Sequence, residues 1–142
     1  MKKVGNLRLL ALDLGERRIG LAVSDAVGSL VFPAGYLVRT RFSQDLDRVL
    51  EIARERDVQG FVVGVPYNLD GGIGPGAKRA QRFIGALRKR TVLSVSSMDE
   101  RFTSVEAEGL LREAGRQPSR EKGAVDEAAA GLILQRFLDQ GM

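Results

Sequence analysis

Leu9 to Asp25 reads LLALDLGERRIGLAVSD, two apolar runs joined by a turn of glycine and arginine, each run closing on an aspartate. Strand alternation sets Leu7, Leu9, Ala11 and Asp13 on one face, so the acid ends an apolar row. A carboxylate in that place is costly to desolvate unless it is paired or binds a cation. Gly15 leaves room for a close approach to the backbone, and Arg17 and Arg18 suggest that whatever approaches is anionic.

Outward from this stretch, Ile19–Ser24 and Gly28–Val38 are two further apolar runs, and the three together predict an antiparallel meander, irregular near Pro33. Ser43 is expected to cap a helix with Leu46, Val49, Leu50 and Ala53 inward. GFVVGVP, residues 60–66, follows as a strand buried on both faces. A helix crossing into such a strand implies a parallel connection and a mixed α/β architecture. The glycine-rich loop YNLDGGIGPG, residues 67–76, then precedes a helix with Ala80, Phe83, Ile84 and Leu87 inward. That loop suits either an anion near a helix start or a plain turn; it is not a P-loop, since GxxxxGK[ST] is absent.

Residues 91–98 predict another strand, ending at DERFTS. Thr103 and Glu106 have capping-box spacing, ahead of a helix with Ala107, Leu110, Leu111 and Ala114 inward and Gly115 as its stop. GRQPSREKG, residues 115–123, reads as a mobile basic surface loop. A last helix over 124–138 carries Asp126, Ala129, Ala130, Ile133 and Phe137 on one face.

The 142 residues are most simply one domain, with 22 Lys and Arg against 18 Asp and Glu and a net charge of +4. That balance permits nucleic-acid partners without demanding them. The chain has no cysteine and no histidine, which excludes a disulfide framework, a thiolate nucleophile, zinc–thiolate sites and a histidine base. Any metal must sit on oxygen ligands, favouring Mg²⁺ or Mn²⁺. The opening lysines and apolar run resemble a signal peptide only superficially, because Arg8 and Asp13 interrupt the run. No apolar stretch approaches a membrane span, and a cytoplasmic protein is expected.

Three acids break their local patterns: Asp13 at a strand end, Glu100 at a strand-to-helix junction, and Asp126 on an inward helix face. Converging at the carboxyl edge of one sheet, they would repel one another and recruit divalent cations suited to in-line phosphodiester displacement. Serving separately, they would be an N-cap, a salt-bridge partner and a helix-dipole partner. Spacing leaves both readings open.

The strings DLGERRIGLAVSD, GVPYNLDGGIGPGAKRAQRF, DERFTS and KGAVDEAAAGLILQRFL, in that order over nearly the whole chain, resemble the YqgF family of bacterial proteins. That family is described both as pre-16S rRNA nucleases and as RuvX-type Holliday junction resolvases. The resemblance implies an RNase H-like fold, a five-stranded mixed sheet with three antiparallel and two further parallel strands and helices on both faces. It implies that Asp13, Glu100 and Asp126 are catalytic acids holding two Mg²⁺ or Mn²⁺ ions, with Asp13 bridging both. Arg17, Asn68, Arg101 and Lys122 match motif positions that would contact phosphate or substrate. Gly72 and Phe102 depart from the family pattern, where threonine and leucine are common. The expected activity is endonucleolytic hydrolysis of RNA at the 5′ end of pre-16S rRNA. A junction-resolving DNase acting on branched DNA, for which a homodimer would matter, and a non-cleaving binding module are the alternatives. A nucleotide phosphotransferase with a similar opening loop would need two lobes, and this chain has room for one.

Overall fold

The computed structural model describes residues 8–101 and 103–140, with the side chains of residues 103 and 104 also outside the description. Leu7 and Phe102, and the side chain of Thr103 expected to cap, therefore lie outside the described residues. The elements run β1 (Leu9–Leu14), β2 (Arg18–Ser24), β3 (Val31–Val38), α1 (Phe42–Glu55), β4 (Gly60–Val65), α2 (Pro75–Arg90), β5 (Ser94–Asp99), α3 (Thr103–Glu113) and α4 (Lys122–Asp139).

The sheet has the order β3-β2-β1-β4-β5. β1 pairs antiparallel with β2, and β2 with β3, as the three apolar runs predict. β1 pairs in parallel with β4, and β4 with β5. The carboxyl ends of β1, β4 and β5 consequently share one edge, which also receives the start of β2. One face of the sheet presents Leu10, Leu12 and Leu14 to Leu46, Phe83 and Leu87 of α1 and α2. The other presents Leu9, Ala11, Ala22 and Val62 to Ala130, Ile133 and Leu134 of α4. Alternation along β1 thus assigns Asp13 to the α4 side.

Several local expectations are corrected. α1 starts at Phe42 with Arg41 as its N-cap residue and no side-chain cap, so Ser43 is inside the helix. The segment before it is tied down by Asp45, whose carboxylate accepts from the Thr40 N–H (3.0 Å) and the Arg39 guanidinium (3.2 Å). Hydrophobic periodicity cannot register such a buried acid, because its partners precede the helix. Leu110 and Ala114 face solvent, while Ala107 and Leu111 are buried. α3 packs edge-on against α4 and has a narrow inward stripe. Of residues 115–123, 115–121 form a turn-rich segment rather than a free loop, with Pro118 buried and Arg116 paired with Glu121 at 2.5 Å, and the last two are helical. α4 begins at Lys122, two residues before the expected start. Among the described residues, no helix is long and apolar enough to cross a membrane.

β3 carries the irregularity anticipated at Pro33. Gly20 opposes Tyr36 but Ala22 opposes Pro33, so one residue is extra and the strand bulges. Gly35 adopts φ +83° in the bulge, and its N–H donates to the Glu127 carboxylate of α4 at 2.6 Å. Beside it, two further glycines, Gly20 of β2 and Gly123 of α4, let helix and sheet approach closely. A Cβ on Gly20 would overlap the Asp126 carbonyl, and one on Gly123 would enter the Tyr36 ring.

Gly20→Ala should therefore lower stability by about 2–4 kcal/mol, since backbone cannot yield as a side-chain tip can. Gly109→Ala on α3, where a Cβ meets nothing within 4 Å, should raise it by about 0.5–1 kcal/mol. Urea titration of both variants checks the contrast.

Candidate active site

The shared strand edge opens into a pocket of about 470 Å³ lined by Asp13, Gly15, Tyr67, Glu100, Arg101 and Asp126, among others. Each acid arrives there for a separable reason. Asp13 is the last inward residue but one of β1 and is 7% exposed. Glu100 follows β5, its N–H donating to the Val65 carbonyl at 3.1 Å, and is 4% exposed. Its carboxyl lies against Gly64, where a Cβ would stand 2.6 Å from Glu100 Cδ. Asp126 is in the opening turns of α4, carried in by the contact of its own carbonyl with Gly20, and Gly20 is the registered neighbour of Asp13.

The electrostatics follow from this crowding. Burial pushes the Asp13 carboxyl above the usual range, partly offset by a side-chain hydrogen bond with Glu100. Asp126 is pushed up to about 6, first by burial and then by the charge of Asp13, with Arg18 acting in the other direction. Arg18 Nη1 lies 3.9 Å from Asp126 Oδ2.

The donor set is all oxygen, desolvated, and short of positive charge, which is the chemistry of a hard divalent-cation site. Among the described residues, no three acids are gathered as a ready coordination group. Burial raises the proton affinity of Asp13 and Asp126, so an ion entering there competes with protons. The residues therefore fit Mg²⁺ or Mn²⁺ in chemistry, with the acids not yet turned toward one ion.

The basic residues divide differently from expectation. Arg101 lines the pocket, but its guanidinium grips Asp99 through Nε (3.0 Å) and Nη2 (2.6 Å) and donates to the Leu69 carbonyl at 3.2 Å. It thereby ties the end of β5 to the glycine-rich loop. Arg17 and Lys122 are exposed and do not line the pocket. Asn68 is exposed and shapes its loop, its N–H donating to the Gly72 carbonyl and its own carbonyl accepting from Gly71 N–H, both at 2.8 Å. The sequence directs Arg17 and Arg18 alike toward an anionic ligand, whereas Arg18 faces Asp126, and it assigns no site role to Gly20 or Gly64. A signal existed for both glycines, because glycine inside an apolar strand marks a close approach. Asp25, the second strand-ending acid, serves the turn instead, accepting from Ser29 N–H at 2.8 Å and Leu30 N–H at 3.2 Å.

The comparisons with known proteins agree on one assignment. The profile of RuvX, described as Holliday junction resolvase, matches residues 7–140. The chain belongs to the RuvX family. A Synechococcus sp. relative named "Putative pre-16S rRNA nuclease" is 47% identical over 131 residues, 92% of this chain and 88% of the relative. Among solved structures, Thermus thermophilus RuvC in complex with Holliday junction substrate matches with TM-score 0.62 at 14% identity, covering 96% of this chain and 97% of that one. Fowlpox virus resolvase with Holliday junction DNA matches with TM-score 0.59 at 9% identity, covering 96% and 99%. At such identities these two likenesses speak for the fold alone, and it is the RNase H-like fold of resolvases.

The raised Asp126 carboxyl gives a stability prediction for this RuvX-family chain. Between about pH 4 and 6 the folded protein holds a proton that the unfolded chain releases, so this site is most favourable to folding below pH 4 and least above 6. Asp126→Asn should stabilise the metal-free protein at pH 7.5 by about 1–2 kcal/mol, after discounting for solvent and for Arg18. The gain should fade as pH drops through 6 toward 4, read as the difference in thermal midpoint across pH.

Proposed function

We propose that this chain is a metal-dependent endonuclease that hydrolyses RNA phosphodiester bonds, acting at the 5′ end of pre-16S rRNA. The observation that carries this reading is the convergence of Asp13, Glu100 and Asp126 on one pocket in a chain without histidine or cysteine. Such a chain has no histidine base and no thiolate nucleophile, which leaves hydrolysis organised by carboxylates. Family membership supports nuclease chemistry, and the name of the 47% identical relative supports RNA as substrate.

Asp13, Glu100 and Asp126 would hold two divalent ions. Such ions, when bound, supply a more acidic water and neutralise charge on the scissile phosphate. The chain does the rest. Burial of Asp13 and Glu100 keeps bulk water from competing for their oxygens. Arg18, 3.9 Å from the Asp126 carboxylate, would steady it as a positioning residue. Gly15 lines the pocket and lets the turn close tightly, since a Cβ there would stand 3.0 Å from the Arg18 carbonyl oxygen. Arg101, braced by Asp99, offers the pocket a fixed guanidinium. Asn68 keeps the neighbouring loop in shape, and Arg17 and Lys122 supply exposed charge for more distant phosphates.

The family description favours a second reading, a resolvase cutting branched DNA with the same acids. A cleavage assay with pre-rRNA fragments, single-stranded RNA and four-way DNA junctions, each with Mg²⁺, Mn²⁺ or chelator, separates the two. The expected result is metal-dependent cutting of RNA, reduced by about 10³-fold or more in Asp13→Asn. Arg18→Ala should cost about 10–100-fold, as loss of a group supporting a metal ligand does. Cutting of junctions alone would transfer the assignment to DNA. Binding without cleavage of any substrate would contradict the nuclease reading.

A further inference from the structure

The outer face of α2 is cationic along its length. Of its 16 residues, Lys78, Arg79, Arg82, Arg88, Lys89 and Arg90 are basic, and none is acidic. At 100° per residue, Lys78, Arg82, Gly85 and Lys89 fall along the line opposite the buried Ala80, Phe83, Ile84 and Leu87. Arg90 is paired with Asp47 at 2.6 Å. Lys78 and Lys89 have no carboxylate partner among the described residues, and Arg82 lies over the Phe42 ring at 4.1 Å.

Gly85 is the unexpected member of this line. Glycine inside a helix costs about 0.5–1 kcal/mol relative to alanine. A Cβ there would meet nothing within 4 Å, so no contact in the chain requires its absence. Glycine there leaves the helix surface without a side chain at the edge of a cleft. A cleft of about 250 Å³ between α2 and β5 begins at this point, lined by Gln81, Gly85, Arg88 and Ser97. It shares Tyr67 with the acidic pocket, so the two are neighbours along one surface.

We propose that α2 and the cleft beside it form a second, non-catalytic track that grips the sugar–phosphate backbone of a paired stem extending from the acidic pocket. The proposal rests on the nuclease reading and adds to it the surface that takes a duplex arm of the substrate. Charge identifies the occupant. A second copy of α2 would set cations against cations, and the face has no large apolar side chain to enter a membrane. The outer face of α2 has no aromatic side chain on which unpaired bases would stack, and Tyr67 stands where the cleft meets the acidic pocket, so along the helix it is backbone that is read. Lys78 and Lys89 stand roughly 16 Å apart along the helix, long enough to meet several phosphates of a duplex that carries one charge per about 1.7 Å.

The test is fluorescence anisotropy in chelator, where nothing is cut, with a labelled RNA hairpin whose stem of about 12 base pairs exceeds α2 in length. An unpaired RNA of equal length is the second probe. Lys78→Ala combined with Lys89→Ala should weaken hairpin binding about 10–100-fold and lower the slope of log K against log salt by about 2. Gly85→Leu, which adds bulk without charge, should weaken it about 5–10-fold with the slope unchanged. Binding of the unpaired strand should change little in either variant.

Wild-type affinity and slope in the double lysine variant would overturn the track while leaving the nuclease reading intact. Normal hairpin binding by Gly85→Leu would overturn the cleft as the path. Equal losses on both probes would overturn the duplex assignment. A wild-type protein that binds neither RNA would overturn the track and the nuclease reading together.

Discussion

The opening turns of α4 are pressed onto β2 and β3 closer than side chains would permit, and the acidic pocket depends on that approach. Three glycines make it available. Gly123 lies under the Tyr36 ring, Gly20 meets the Asp126 carbonyl, and Gly35 turns its N–H to the Glu127 carboxylate at 2.6 Å. The bulge in β3 is what frees the Gly35 N–H from the ladder for this contact. Because Gly20 is registered with Asp13, holding the Asp126 backbone on Gly20 sets the two acids side by side. On the other side of β1, Gly64 of β4 opens the space that the Glu100 carboxyl fills. Close packing of backbone, rather than any attraction between the acids, brings them together.

That packing forces charge into a place where it is unfavourable. Burial raises the proton affinity of Asp13, partly offset by its hydrogen bond with Glu100, and raises that of Asp126, beside which stands a distant guanidinium. Arg18 at 3.9 Å is too far to compensate fully. A fold under selection for stability alone would replace this cluster with apolar residues. Strain of this kind is expected where a site awaits a ligand of opposite charge.

Much of this was legible in the sequence because it follows from periodicity. Alternation in β1 marked Asp13 as facing the side where α4 packs, and the 3.6-residue repeat marked Asp126 as inward. The parallel connection into Gly60–Val65 and the antiparallel meander likewise follow from apolar patterns and turn chemistry. What escaped were pairings that no period encodes. Asp45 is buried by partners that precede its helix, and Leu110 is exposed because α3 meets only one neighbour. Of two adjacent arginines, Arg18 rather than Arg17 faces Asp126, a choice set by strand phase at the start of β2. Gly20 and Gly64 are apolar-run residues to a hydrophobicity count, and their role emerges only when the opposing backbone is known.

Asp13, Glu100 and Asp126 are proposed to form one cation-binding centre at which an entering ion displaces protons. Calorimetric titration of the protein with Mn²⁺, repeated in buffers of different ionisation enthalpy, tests it most directly. The predicted result is saturable binding with net proton release, weakening as pH falls through about 6 where Asp126 takes up its proton, and abolished by Glu100→Gln. Binding of equal strength in Glu100→Gln, or uptake with no proton release at any pH, would contradict it.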